Sequence, residues 1–199
     1  DQPSQTLGFS MVGGADAAKF AIDGATGALT FVSSPNFEAP TDVGANNVYN
    51  VQVTASDGTN STNQALAITV TAVNDNDPVI TTAATANFAE NATGTVIDVN
   101  ATDADLPAQT LTFSITGGAD AAKFAINATT GIVTFVASPN FESPTDVGAD
   151  NVYDLTVTAS DGTRTVSQAI AVTVTPVNEF SPVFTSAATA SFAENASGT

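Results

Sequence analysis

In the segment Tyr153–Ala159, which reads YDLTVTA, apolar and polar residues alternate along the whole length. Successive side chains of an extended chain point to opposite faces, so this period of two predicts a β-strand with one buried face. Leu111–Ile115 and Ile170–Val174 have the same pattern, and turn pairs such as Asp161-Gly162 punctuate such runs. About seven strands in roughly 100 residues predict an all-β Greek-key sandwich of the immunoglobulin-like type, without a long helix.

The strand pattern belongs to a repeat of 104 residues. The decapeptide GGADAAKFAI begins at Gly13 and again at Gly117. Residues 1–95 and 105–199 are identical at 65 of 95 aligned positions, without an insertion. Self-similarity at a fixed period is typical of tandem arrays, so we interpret the chain as consecutive units of one array.

The repeat predicts three parts of unequal completeness. Residues 1–78 form a unit without its first strands, residues 79–182 form a complete unit, and residues 183–199 begin a third one. Because Asp1 aligns with a position inside a unit, we favour a piece of a longer chain. A second hypothesis is a filament in which the tail of one chain completes the truncated unit of the next. Counterparts of Val96–Ala104 would still be missing from such a pair.

The composition excludes several functions. The chain has 20 acidic and 3 basic residues and a net charge of −17, whereas nucleic-acid binding requires clustered Lys and Arg. It has no His and no Cys, which excludes a His-based triad, a thiol nucleophile and an ordinary zinc site. Apolar residues make up 43% of the chain, enough for a core, but no apolar run reaches the roughly 18–20 residues of a transmembrane helix.

We expect no enzyme. A glycosidase needs two carboxylates that flank its substrate, and Asp103 and Asp105 are the best candidates for such a pair. The chain offers no His, no Trp and no distinctive pocket motif beside them, and its acids recur from unit to unit. These acids therefore call for another explanation.

Most of the acidic residues fall at strand ends or between the units. Those of the complete unit include Glu90, Asp103, Asp105, Glu142 and Asp161, and the segment Asn74–Asp77 comes just before it. Asp and Asn favour turns for backbone reasons, which is the alternative explanation for each residue taken alone. Oxygen ligands that converge on one junction without nitrogen or sulfur favour a hard cation such as Ca²⁺.

In their order along the chain, these motifs resemble those of a cadherin-type repeat. They are Phe88-Ala89-Glu90-Asn91, Asp103-Ala104-Asp105, Asn140-Phe141-Glu142, Ala159-Ser160-Asp161-Gly162 and the linker Asn74-Asp75-Asn76-Asp77-Pro78. The near-identical units without cysteine are more similar to bacterial cadherin-like arrays of surface proteins than to vertebrate cadherins. The resemblance implies a secreted or cell-surface protein whose repeats bind Ca²⁺, contact neighbouring repeats and serve as a calcium-rigidified spacer, stalk or adhesion module.

The resemblance also implies a set of calcium ligands. For the junction between the two units these are Glu38 with Asn36 beside it, the linker residues Asn74, Asp75 and Asn76 through its carbonyl, and Asp103, Asp105 and Asp161. For the next junction they are Glu90, Glu142, Asn178 and Glu179, and for a preceding one Asp1 and Asp57. Ala72 and Asn36 stand where the family has Asp, so we expect about one or two ions at the first junction rather than the full complement.

The sequence is compatible with two kinds of binding partner for the array. One is a homophilic contact with another copy, and the other is a glycan or another cell-surface molecule. A carbohydrate-binding sandwich is the alternative function. Such sites usually present exposed aromatic side chains, whereas Tyr49 and Tyr153 fall on the buried side of their alternating stretches. This favours the spacer.

Overall fold

The computed structural model describes residues 5–186, 188, 189, 191 and 194. The first unit contains strands β1 (Gly8–Gly13), β2 (Phe20–Ile22), β3 (Leu29–Phe31), β4 (Val48–Ser56) and β5 (Ser61–Thr69). The second contains β6 (Val79–Ile80), β7 (Thr85–Ala89), β8 (Thr95–Asp98), β9 (Ala101–Thr102), β10 (Thr112–Gly117), β11 (Phe124–Ile126), β12 (Ile132–Phe135), β13 (Val152–Ser160) and β14 (Thr165–Thr175). Single 3-10 turns span Ala17–Lys19 and Ala121–Lys123.

The second unit is a sandwich of the predicted kind. One sheet has the order β10-β13-β14-β7 and the other the order β11-β12-β8, while β6 pairs with β9. All pairs are antiparallel except β7, which runs parallel to β14. The unit has nine strand segments instead of about seven, because its first strand is interrupted between β6 and β7 and its second between β8 and β9. The interruption lets the first strand pair with β9 and then with β14.

The alternation that predicted the fold is present in the core. Tyr153, Leu155, Val157 and Ala159 of β13 and three residues of β14 are buried in the core cluster of this unit. Thr158 departs from the pattern, because it is buried on the side predicted to be polar. Its hydroxyl lies 2.7 Å from those of Thr116 and Ser167, and these hydrogen bonds offset the cost of removing it from water.

The repeated GGADAAKFAI motif has a structural role. Gly118 has a φ of 101°, and a Cβ atom at this position would lie 2.3 Å from the Cα of Leu155. The close approach of Gly118 to β13 brings Asp120 next to the loop that precedes this strand. The carboxylate of Asp120, 3% exposed, accepts hydrogen bonds from the N–H groups of Val147 (2.8 Å) and Asp154 (2.9 Å). Asp16 makes the equivalent bonds in the first unit.

The first unit is more open than the second. Its sheets have the orders β1-β4-β5 and β2-β3, and β5 lies at the edge where the second unit continues with β7. Within residues 5–78, nothing takes the place of residues 79–104. Leu66 and Ile68 are consequently only partly buried, whereas their counterparts Ile170 and Val172 are 1% and 0% exposed.

We predict that Asp120→Ala lowers the free energy of unfolding of the second unit by about 2 kcal/mol, because it removes the acceptor of two partly buried N–H groups. Urea denaturation followed by circular dichroism measures this change. The matched control is Asp98→Ala, since Asp98 is exposed. Equal stability of the two variants would contradict a structural role for Asp120.

Candidate metal centre

Carboxylates from both units and from the linker meet at the junction. Ligand oxygens of Glu38, Asp75 and Asp105 lie within 4.8 Å of one another. Oxygens of Asp103, Asp105 and Asp161 form a second group with the same spacing. Asp105 belongs to both groups, so the two sets of ligands adjoin each other.

Local backbone geometry positions the acids of the second unit. Asp161 lies in the turn between β13 and β14, where its Oδ1 accepts the N–H groups of Thr163 (2.6 Å) and Arg164 (2.7 Å). Asp103 and Asp105 follow β9, and Oδ1 of Asp103 accepts the N–H of Asp105 at 2.9 Å. The other oxygen of Asp103, Oδ2, is buried and has no hydrogen-bond partner in the described part of the chain.

The linker is bound to the second unit through Asp105, which is 1% exposed. The side-chain amide of Asn76 donates to Oδ1 of Asp105 at 2.6 Å, and the backbone N–H of Asn76 donates to the same carboxylate. The hydrogen bond from Asn76 lowers the pKa of Asp105, whereas burial and the charge of Asp161 raise it. The net shift is downward, so Asp105 is charged at neutral pH.

The side chain of Asn74 lies beside Asp105 and Asp161, and its amide has two possible orientations. In one orientation its amide nitrogen donates to Asp161 Oδ2 (3.1 Å) and Asp105 Oδ2 (3.2 Å). In the other, the nitrogen donates to Gln109 at 2.6 Å and the amide oxygen faces the two carboxylates. Hydrogen bonds alone favour the first, whereas a cation among these oxygens would favour the second.

The first unit contributes Glu38, which reaches across the junction. Its Oε1 accepts the N–H of Leu106 at 3.4 Å. Asn36 lies beside it, but its Oδ1 accepts the N–H groups of Glu38 (2.8 Å) and Ala39 (3.2 Å). Asn36 thus orients the loop that carries Glu38, and its role as a ligand stays a prediction.

A third group of carboxylates lies at the far end of the second unit. Oxygens of Glu90, Glu142 and Glu179 approach one another within 4.8 Å. Glu90, 2% exposed, accepts the N–H groups of Val177 (2.7 Å) and Phe141 (2.8 Å), and these bonds lower its pKa. The backbone N–H of Glu142 lowers the pKa of that side chain, but desolvation and the charges of Glu90 and Glu179 outweigh it, so the pKa of Glu142 is raised.

The remaining predicted ligands do not join a carboxylate group among the described residues. Asn178 is exposed in the segment after β14. Asp57 occupies the turn equivalent to that of Asp161, where its Oδ1 accepts the N–H groups of Thr59 and Asn60. Asp1 lies outside the described residues.

Sequence reasoning missed two residues of the first junction. Gln109 contacts Asn74, and Arg164 forms an ion pair with the linker residue Asp77 at 2.9 Å. The partner of Arg164 lies 87 positions away in sequence. A short sequence pattern cannot predict a contact between residues so far apart in the chain.

A family model described as the cadherin domain matches residues 84–175. The second unit is therefore a cadherin-like repeat, and the first unit repeats much of its sequence. The human protein named cadherin EGF LAG seven-pass G-type receptor 1 is 34% identical over 131 residues, which is 63% of this chain and 4% of that protein. Halomucin of Haloquadratum walsbyi is 40% identical over 76 residues, which is 37% of this chain and 1% of halomucin.

Solved structures agree with this fold. The structure of the EC1-2 segment of human protocadherin-24 has a TM-score of 0.67 and 22% sequence identity, and the match covers 89% of this chain and 85% of that one. Cadherin repeats are non-enzymatic adhesion modules, which confirms the prediction that this segment is not an enzyme. Across the described residues, no helix is long and apolar enough to cross a bilayer.

We predict opposite pH dependences for two variants of the far group, measured in chelator. A pKa lowered in the folded state stabilises the fold above the pKa of the unfolded state, about 4.3, and that stabilisation is lost as the pH falls through the folded-state pKa. Glu90→Gln is therefore expected to destabilise the repeat at neutral pH and to differ little from the parent in acid.

The matched variant Glu142→Gln is expected to change the stability at neutral pH in the opposite direction. Its pKa is raised in the folded state, so ionisation costs stability as the pH rises through that value, and removing the charge is expected to stabilise the metal-free repeat at neutral pH. Urea denaturation at a series of pH values measures both variants. Equal shifts of the same sign would contradict this account of the group.

Proposed function

We propose that this chain is a calcium-stiffened segment of a secreted or cell-surface protein and acts as a spacer, stalk or adhesion module. One observation carries the proposal. Carboxylates of the first unit, the linker and the second unit converge at one junction, where Oδ2 of Asp103 is buried without a partner in the described part of the chain. A buried unpaired oxygen costs free energy, and a cation beside it would remove that cost.

The chemistry of the ligands supports Ca²⁺. All candidate ligands are carboxylate or amide oxygens, which suit a hard cation. The two adjoining groups that share Asp105 support two ion positions at this junction. That number agrees with the one or two ions expected from the departures of the linker from the family pattern.

Bound calcium would stiffen the junction through shared ligands. Without the cation, the charges of Glu38, Asp75 and Asp105 repel one another across the boundary between the units. With the cation, the same side chains bind a common ion, so rotation of one unit against the other would break ligand bonds. The carboxylate groups at both ends of residues 79–182 support this complete unit as the repeating element of the rod.

Several observations support a surface location in a prokaryote. The cadherin relatives are surface or extracellular proteins, halomucin comes from a prokaryote, and the two units are identical at 65 of 95 aligned positions. The partner that we favour is another copy of the repeats, in a homophilic contact. The two tyrosines give the carbohydrate alternative no support, because Tyr49 and Tyr153 are each 1% exposed.

We predict that calcium raises the melting temperature and lowers the flexibility between the units, because an ion that binds only the folded junction stabilises it by mass action. At 100 times the dissociation constant, one such site contributes about 2.7 kcal/mol. Calorimetric titration, thermal unfolding and small-angle scattering in calcium and in chelator measure the three effects. Identical curves in both solutions would contradict the proposal.

Asp161→Asn and its repeat counterpart Asp57→Asn form a matched pair. The two side chains lie in equivalent turns of the two units, and each accepts two backbone N–H groups. Among the described residues, Asp161 belongs to a carboxylate group and Asp57 does not. We expect Asp161→Asn to weaken calcium binding by about tenfold or more and Asp57→Asn to leave it unchanged. Equal affinities would contradict the role of Asp161 as a calcium ligand of this junction.

A further inference from the structure

The turn between β13 and β14 brings a positive charge to a junction that is otherwise built from acids. Nη1 of Arg164 lies 2.9 Å from Oδ1 of Asp77, and the two side chains form an ion pair between the second unit and the linker. The other two basic residues, Lys19 and Lys123, end the 3-10 turns and form no ion pair among the described residues. One of the three basic residues of the chain is thus held against the linker.

The backbone of the turn places Arg164 beside the candidate ligands. Oδ1 of Asp161 accepts the N–H of Arg164 at 2.7 Å. This N–H lowers the pKa of Asp161, and the charge of the guanidinium lowers it further. A hydrogen bond to Asp77 raises the pKa of the arginine, and the charges of Asp75 and Asp105 raise it further. The guanidinium therefore interacts with acids of both carboxylate groups.

The ion pair is not part of the repeated sequence. The counterpart of Arg164 in the first unit is Asn60, and the counterpart of Asp77 in the next linker is Ser181. The first unit nevertheless forms the same turn, in which the N–H of Asn60 donates to Oδ1 of Asp57 at 2.6 Å. The turn does not require an arginine, so the side chain of Arg164 has a role other than folding it.

The linker is also bound to the second unit without this ion pair. The side-chain amide and the backbone N–H of Asn76 both donate to the buried carboxylate of Asp105. The side chains of Arg164 and Asp77 are 41% and 67% exposed, and an ion pair so open to water adds little stability. The charge of the arginine, by contrast, acts on every charge nearby.

We propose that Arg164 is a resident cation of the first junction and weakens the binding of calcium between the units. The inference rests on the proposed calcium site. Arg164 offsets part of the negative charge that attracts the ion, and it repels a second cation beside the same acids. Asp77 has the opposite effect, because it offsets the charge of the arginine and belongs to neither carboxylate group. The pair would set the calcium affinity of this junction without supplying a ligand.

The repeat itself supplies the variants for the test. Arg164→Asn introduces the residue of the first unit and should tighten calcium binding about fivefold at low ionic strength, because a positive charge is removed. Asp77→Ser introduces the residue of the next linker and should weaken calcium binding by a similar factor, because the arginine is no longer offset. The double variant has the net charge of the parent and should bind calcium as the parent does.

A calcium titration followed by the NMR resonance of the Asn76 amide reports on this junction. Lys123→Asn is the matched control, since it removes the same charge from a 3-10 turn of the second unit, and we expect it to leave the affinity unchanged. The differences between the variants should shrink in roughly 1 M salt, where the Debye length is only about 3 Å.

A purely structural role for the ion pair predicts a different result. If the pair served to hold the linker, both single variants would weaken calcium binding, and the Asn76 amide would exchange its hydrogen faster in chelator. We expect that exchange rate to stay at the parent value in Arg164→Asn, because Asp105 still holds Asn76.

Weaker binding by both single variants would overturn the proposal, and so would equal affinities of the parent and all variants. These outcomes leave the calcium site itself intact. A parent chain that binds no calcium would overturn the proposed function and this inference together.

Discussion

The buried carboxylate of Asp105 is the interaction on which the arrangement of the two units depends. It accepts hydrogen bonds from Asn76 of the linker, and it belongs to both carboxylate groups of the junction. Because like charges that lie this close repel one another, the junction combines good hydrogen bonding with unfavourable electrostatics. A cation between the carboxylates would make the electrostatic contribution favourable and leave the hydrogen bonds intact. The proposed stiffening of the array depends on this close group of carboxylates around Asp105.

The net charge of −17 has more than one origin. Asp16 and Asp120 are buried and accept backbone N–H groups of loops, and they belong to none of the three carboxylate groups. Asp42 and Asp146 do the same in the loops before β4 and β13. The ligand groups comprise a different subset, at the strand ends and in the linker. The chain therefore uses the same residue type for the fold and for the candidate metal centre.

Much of the fold could be predicted from the sequence because burial imposes a period of two on β13 and β14. The repeat then extends one strand pattern to both units. The departures arise from contacts that are distant in sequence. Thr158 is buried because Thr116 and Ser167 supply hydrogen bonds, and β6 and β7 are separate because they pair with different strands. The acids of the junction were predicted from family motifs, but the local turn of Asn36 and the ion pair of Arg164 depend on geometry that no motif contains.

We propose that calcium binds between the units and uses ligands from both. Anomalous diffraction from crystals grown in calcium tests it most directly, because it locates the ions without reference to any variant. We expect density peaks at the junction, about 2.3–2.6 Å from oxygens of Asp103, Asp105 and Asp161 and from oxygens of Glu38 and Asp75. A well-ordered junction without such a peak, in which Oδ2 of Asp103 is satisfied by protein or water alone, would contradict it.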